Sequence, residues 1–190
     1  MLIALTAGCG GGGGARELAG YTLDPAPQVG DLSLPDAAAD GSAMPLQAES
    51  GGLLLVFFGY TNCPDVCPLT MAQIRSALRD IDQPGRVQVA MVTIDPNRDT
   101  PETLTNFVRS FVPNAHALRT TDDTVLRPVA DRFGVSYSVT TAEDGRVEVA
   151  HTGSVFAVDD TGEVRLVWTF GTTADDMSAD MSTLLDHAET

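Results

Sequence analysis

The stretch LLLVFF, Leu53 to Phe58, constrains the fold of this chain more than any other, because it runs straight into GYTNCPDVCPLT. Six apolar residues without alternation have the length of a strand. Such a run suits a strand buried on both faces, as in a parallel sheet with helices on either side. The residues after it read as a turn holding two of the three cysteines, Cys63 and Cys67. A helix is then expected over Leu69 to Ile81, where apolar residues recur at 71, 74, 78 and 81.

The rest of the chain continues the pattern. VQVAMVTI (Val87 to Ile94) reads as a second central strand. Thr100 is a good N-cap and Pro101 suits the first helical position, so a helix is expected from there through Phe111. HALRT reads as a short strand. Thr121 to Phe133 reads as a helix closed by Gly134, with Pro128 either kinking it or moving its start to about Arg127. VSYSV and RVEVA flank an EDG turn, SVFAVD and EVRLVWTF flank DTG, and Ala174 to Ala188 closes the chain as a helix. This order argues an α/β fold, a central mixed sheet with a parallel and an antiparallel half, flanked by helices.

A chain of 190 residues can bury a core without disulfides, so Cys63 and Cys67 are not needed as a staple. The net charge of −15, with no lysine, argues against nucleic acid as a partner. No run of apolar residues approaches the ~20 of a membrane span. At the N-terminus, LTAGC resembles the lipobox of a bacterial lipoprotein, in which the cysteine, here Cys9, becomes lipid-modified. The expected organisation is a signal over residues 1–9, a flexible Gly/Pro-rich tether over 10–30 and one folded domain over 31–190. The lipobox implies an extracytoplasmic protein anchored to the cell membrane, where thiol pairs can be oxidised.

Cysteines four apart, between a buried strand and a helix N-terminus, meet the conditions for thiolate chemistry. The thiolate serves redox exchange and soft-metal binding alike, and the pair alone does not separate them. A third soft or borderline ligand would lean to metal. His151, in VEVAHTGSVFAVD, is the candidate, because it precedes a strand that can lie beside the first central one. His116, opening a short strand, and His187, in the last helix, are read as structural.

FFGYTNCPDVCPLT, VTIDPNRDTPETL and HTGSVFAVDDTGEV together resemble the Sco/SenC family, the copper chaperones of cytochrome c oxidase assembly. The resemblance runs from about Leu53 to the final helix. It implies a thioredoxin-like fold, with Cys63, Cys67 and His151 matching the copper ligands. It further implies a monomeric carrier rather than an enzyme. That carrier would deliver copper to the copper-site (CuA) subunit of cytochrome c oxidase, with another copper carrier as a further partner. Two thiolates suit Cu(I), and imidazole suits both copper oxidation states. Zinc could also take two thiolates, an imidazole and water. The rival function is a thiol–disulfide oxidoreductase that reduces partner cysteines before metal enters, with Cys63 and Cys67 as its redox pair. CxxxC in place of CxxC favours the carrier. A peroxidase of the same fold is a third option, disfavoured by the second cysteine.

Overall fold

The computed structural model describes residues 16–142, 147–151 and 153–188, with backbone alone for residues 141, 147, 148, 150 and 151. The expected signal over 1–9, with Cys9, and the EDG turn lie outside the described residues.

The elements run β1 (Ser33–Asp36), β2 (Ser42–Pro45), β3 (Leu53–Gly59), α1 (Val66–Arg79), β4 (Val87–Thr93), α2 (Pro101–Phe111), β5 (His116–Leu118), α3 (Asp123–Arg132), β6 (Tyr137–Thr141), β7 (Val147–His151), β8 (Val155–Val158), β9 (Val164–Trp168) and α4 (Ala174–His187). Among the described residues seven strands form one sheet in the order β2-β1-β5-β4-β3-β8-β9, and β6 and β7 form a separate antiparallel pair. The β3, β4 and β5 strands are parallel, and β8 and β9 return antiparallel beside β3.

The LLLVFF run is buried on both faces because the sheet has a core on each side. Leu53, Leu55 and Phe57 pack with Met71 and Ile74 of α1, Leu104 and Val108 of α2, and Met177 and Met181 of α4. Leu54, Val56 and Phe58 pack with Leu126, Val129 and Phe133 on the α3 side. The period of two in a strand produces this division. Phe133 meets Phe58 and Phe156 edge-on at 5.4 and 5.1 Å between ring centroids, which fixes α3 against the middle of the sheet.

Helix starts follow their caps. Thr100 accepts from the Thr103 N–H at 3.1 Å, with Pro101 at the first helical position. Asp122 accepts from Thr124 N–H, so α3 begins at Asp123 and runs through Pro128 rather than starting near Arg127. The first helix begins at Val66, three residues before the expected Leu69. Pro68 then falls in its first turn, where no intrahelical N–H is required.

The segment expected as tether is described from Arg16. From Ala19 it is held on the sheet. Ala19 and Gly20 N–H donate to the Asp180 carboxylate, Tyr21 pairs with Val167, Gln28 pairs with Glu163, and Val29 is buried.

Candidate metal and redox site

The C-terminal end of β3 delivers the chain into the cysteine loop, and α1 leads it away. The backbone at Gly59 makes room for the second cysteine. A Cβ there would lie 2.7 Å from Phe57 Cε1 and 3.1 Å from Cys67 Sγ, closer than side chains pack. Glycine therefore lets a thiol sit directly on the strand end. Cys63 lies in the loop and Cys67 is the second residue of α1. Both are buried and neither is in a disulfide. The Cys67 N–H donates to Cys63 Sγ at 3.2 Å, and the two side chains are hydrogen-bonded to one another.

Two effects oppose each other at Cys67. The start of α1 favours a thiolate, and the Tyr60 N–H donates to the sulfur. Burial works against the charge and wins, pushing the Cys67 thiol far above its ordinary value, with Cys63 beside it pushing the same way. Tyr60 is pushed up to about 12, first by burial and then by Cys63, to which its hydroxyl is hydrogen-bonded. A ligand that replaces the thiol proton with a positive charge would relieve this cost.

A polar bracket beneath the loop holds it in place. Asp99 is fully buried. Its carboxylate accepts from the Thr61 N–H at 3.1 and 3.2 Å, from Thr61 Oγ1 at 2.5 Å and from Thr93 Oγ1 at 2.6 Å. Arg119 donates to the Asp99 and Pro96 carbonyls at 2.7 and 2.8 Å, and Arg98 pairs with Asp95. The loop after β4 is thus joined to the residue two before Cys63. Sequence reasoning did not single out Asp99, Thr61, Thr93 or Gly59. The DPNRDT stretch that contains Asp99 reads in sequence as a loop before α2 and as part of a family resemblance.

Cys63 opens onto a cleft of about 500 Å³ whose walls include Tyr60, Val66, Val149, Gly153 and Phe170. Val149 and Gly153 lie two residues before and two after His151, which ends β7 and pairs with Tyr137. The His151 side chain is outside the described residues. Among the described residues no three His, Cys, Asp or Glu groups stand together as a metal cluster. His116 instead bonds Asp36 of β1 through Nδ1 at 2.7 Å, and His187 ends α4. Both sit where a structural role was expected.

The sheet order, the crossing helices and a dithiol loop between β3 and α1 define a thioredoxin-like protein with a paired-cysteine site. The chain belongs to the SCO1/SenC family, whose pattern matches residues 28–186. A SCO2-like protein from Rickettsia prowazekii is 30% identical over 116 residues, covering 59% of this chain and 56% of the relative. The chain thus spans little more than half the length of that curated relative. Among solved structures, copper-bound ScoI of Bradyrhizobium japonicum is 29% identical, with a TM-score of 0.68 over 80% of this chain and 96% of that one. Apo Sco1 of Thermus thermophilus is 30% identical, with a TM-score of 0.72 over 92% and 97%. Among the described residues no helix is long and apolar enough to cross a membrane.

Proposed function

We propose that this chain is an extracytoplasmic copper carrier. It takes one copper ion on Cys63, Cys67 and His151 and delivers it to the CuA site during cytochrome c oxidase assembly, held at the membrane by a lipid on Cys9. The copper is cargo, and the copper-site subunit of the oxidase is its acceptor. The observation that carries this reading is the pair of buried, mutually bonded thiols, of which Cys63 lines a cleft that also takes Val149 and Gly153. Val149 and Gly153 stand two residues to either side of His151 in the chain. Two thiolates and an imidazole form a donor set for Cu(I), and the imidazole extends it to Cu(II). The copper-bound relative supports the choice of metal.

Copper loading would release the Cys67 proton that burial otherwise retains. The Asp99 bracket keeps the loop ordered before metal arrives, and the cleft leaves Cys63 reachable from one side. Anaerobic Cu(I) titration of the reduced protein tests the reading. One equivalent should bind tightly to wild type. Cys63→Ser and Cys67→Ser should each lose tight binding, and His151→Ala should lose Cu(II) binding more than Cu(I). Undiminished affinity in either serine variant removes the proposal.

The adjacent, mutually hydrogen-bonded cysteines also favour a second reading, a dithiol that reduces partner cysteines. In that case His151→Ala should leave thiol–disulfide exchange and oxidase assembly unchanged, whereas a carrier should fail in assembly.

A further inference from the structure

Tyr60 follows the last residue of β3 and meets both sulfurs of the site. Its backbone N–H donates to the Cys67 sulfur, and its hydroxyl donates to Cys63. The turn is closed from the other direction by the Cys63 N–H, which donates to the Tyr60 carbonyl at 3.3 Å. The ring is half-buried and packs against the cores on both faces of the sheet, so the hydroxyl is carried by a side chain with little freedom to swing away. Tyr60 and Cys63 share the wall of the cleft.

Arg98 bears on the same ring. Its guanidinium stands 5.9 Å from the ring centroid, held by its pairing with the buried Asp95. A cation over an aromatic face is attracted to it, and by drawing on the ring electrons it makes the phenol O–H a stronger donor. Cys63 thus receives two donors, the Cys67 N–H at 3.2 Å and the Tyr60 hydroxyl. Only the second belongs to a side chain, and it can be removed without touching the backbone.

A hydrogen bond to sulfur gains most when the sulfur is electron-rich. A thiol or thiolate accepts better than a disulfide sulfur, so a donor at Cys63 stabilises the reduced pair relative to the oxidised one. The same donor on a copper-bound thiolate draws electron density from the metal and favours Cu(I) over Cu(II). We propose that the Tyr60 hydroxyl sets the redox poise of this site: it holds Cys63 and Cys67 as the dithiol and, resting on the copper reading of the site, holds bound copper as Cu(I). Tyr60 acts through the Cys63 sulfur and is a positioning residue, not a ligand.

The test compares the full chain with its Tyr60→Phe variant, which keeps the ring and loses only the oxygen. Both proteins carry Cys9→Ser, so that Cys63 and Cys67 are the only cysteines. Each is equilibrated without metal in graded glutathione buffers at one neutral pH, quenched by alkylation and counted by mass. In the step followed, an S–S bond forms between Cys63 and Cys67, and the two electrons and two protons released convert one glutathione disulfide into two glutathione thiols. The variant should favour its disulfide about tenfold more than wild type does, a fall of about 30 mV for this two-electron couple. Urea unfolding closes the cycle. The unfolding constant of the variant should rise by the same factor in the dithiol form and stay unchanged in the disulfide form. Equal glutathione equilibria, or equal weakening of both forms, make Tyr60 a packing residue and overturn the proposal. Copper is read by absorption. The thiolate-to-Cu(II) band should move to longer wavelength in the variant, and an unmoved band in loaded protein overturns the preference for Cu(I). A wild type that takes up no copper removes the carrier reading instead, and the glutathione equilibrium still decides the role of Tyr60.

Discussion

Replacing Asp99 should separate the bracket's contribution to the fold from its contribution to the site. In Asp99→Ala, three donors lose their acceptor: Thr61 N–H, Thr61 Oγ1 and Thr93 Oγ1. A buried donor left unsatisfied costs about 1–3 kcal/mol. The hydroxyls can turn elsewhere, and Thr93 Oγ1 already accepts from Asp95 N–H at 3.1 Å, so the sum should settle at about 3–5 kcal/mol. Asp99→Asn differs in kind. Its remaining oxygen can keep the Thr61 N–H, which lies at nearly equal distance from both carboxylate oxygens, and its new amide N–H can donate to a rotated hydroxyl. A loss of about 1–2 kcal/mol is expected. Urea unfolding of the reduced full chain at neutral pH measures both. Copper competition reads the second effect. If Asp99→Ala frees Thr61 and Asn62, re-ordering two residues at about 1 kcal/mol each weakens Cu(I) binding roughly 30-fold. The reasoning fails if Asp99→Ala unfolds within 1 kcal/mol of wild type, or if the asparagine variant is as damaged as the alanine one.

Gly59→Ala should displace the Cys67 sulfur and overpack the strand end, lowering stability by about 1–3 kcal/mol and Cu(I) affinity by about tenfold or more; a variant that titrates as wild type does would show that the thiol does not need the strand end. The Asp36 carboxyl offers a pH test. Burial alone would raise its pKa, but the hydrogen bonds from His116, Ala117 and Ala38 prevail and hold it below the usual carboxylate range. Its contribution is therefore complete above about pH 4 and is lost as pH falls through the depressed value, because the unfolded chain takes up the proton first. Asp36→Asn should flatten that part of the acid unfolding profile, and parallel profiles for the two proteins would contradict the assignment.

The parts legible in sequence were those where local pattern and tertiary structure agree. An unbroken apolar run of strand length suits a strand between two cores, and Thr100-Pro101 caps a helix by its own chemistry. The β1–β2 hairpin was not legible. SLPD and SAMP are short and hold Pro and Ala, and their pairing is set by the edge they cover. Asp99 and Asp180 look like two more solvated carboxylates in a chain with 26 acidic residues. Only the structure shows both with no solvent exposure, each collecting N–H or O–H donors from distant segments. The cysteine pair was legible because its spacing and its strand–helix setting are local. Its support was not, because the support comes from loops about thirty to forty residues further along the chain.

The Asp180 clasp joins residues about 160 positions apart, and that has a consequence in time. The first residues of the fold to emerge during synthesis are among the last to find their partners. Until α4 has been made, Ala19 and Gly20 have no carboxylate to bind, and while the clasp is open the cover on the outer edge of β9 is held only by its own edge hydrogen bonds. A nascent or truncated chain ending before Asp180 would hold that cover by the edge hydrogen bonds of Tyr21, Pro27 and Val29 alone, and each time it lifts it would present an apolar strand edge, the kind of surface that recruits other chains. Completing the last helix therefore acts as a seal on both termini at once, and damage near the C-terminus should be felt first as aggregation.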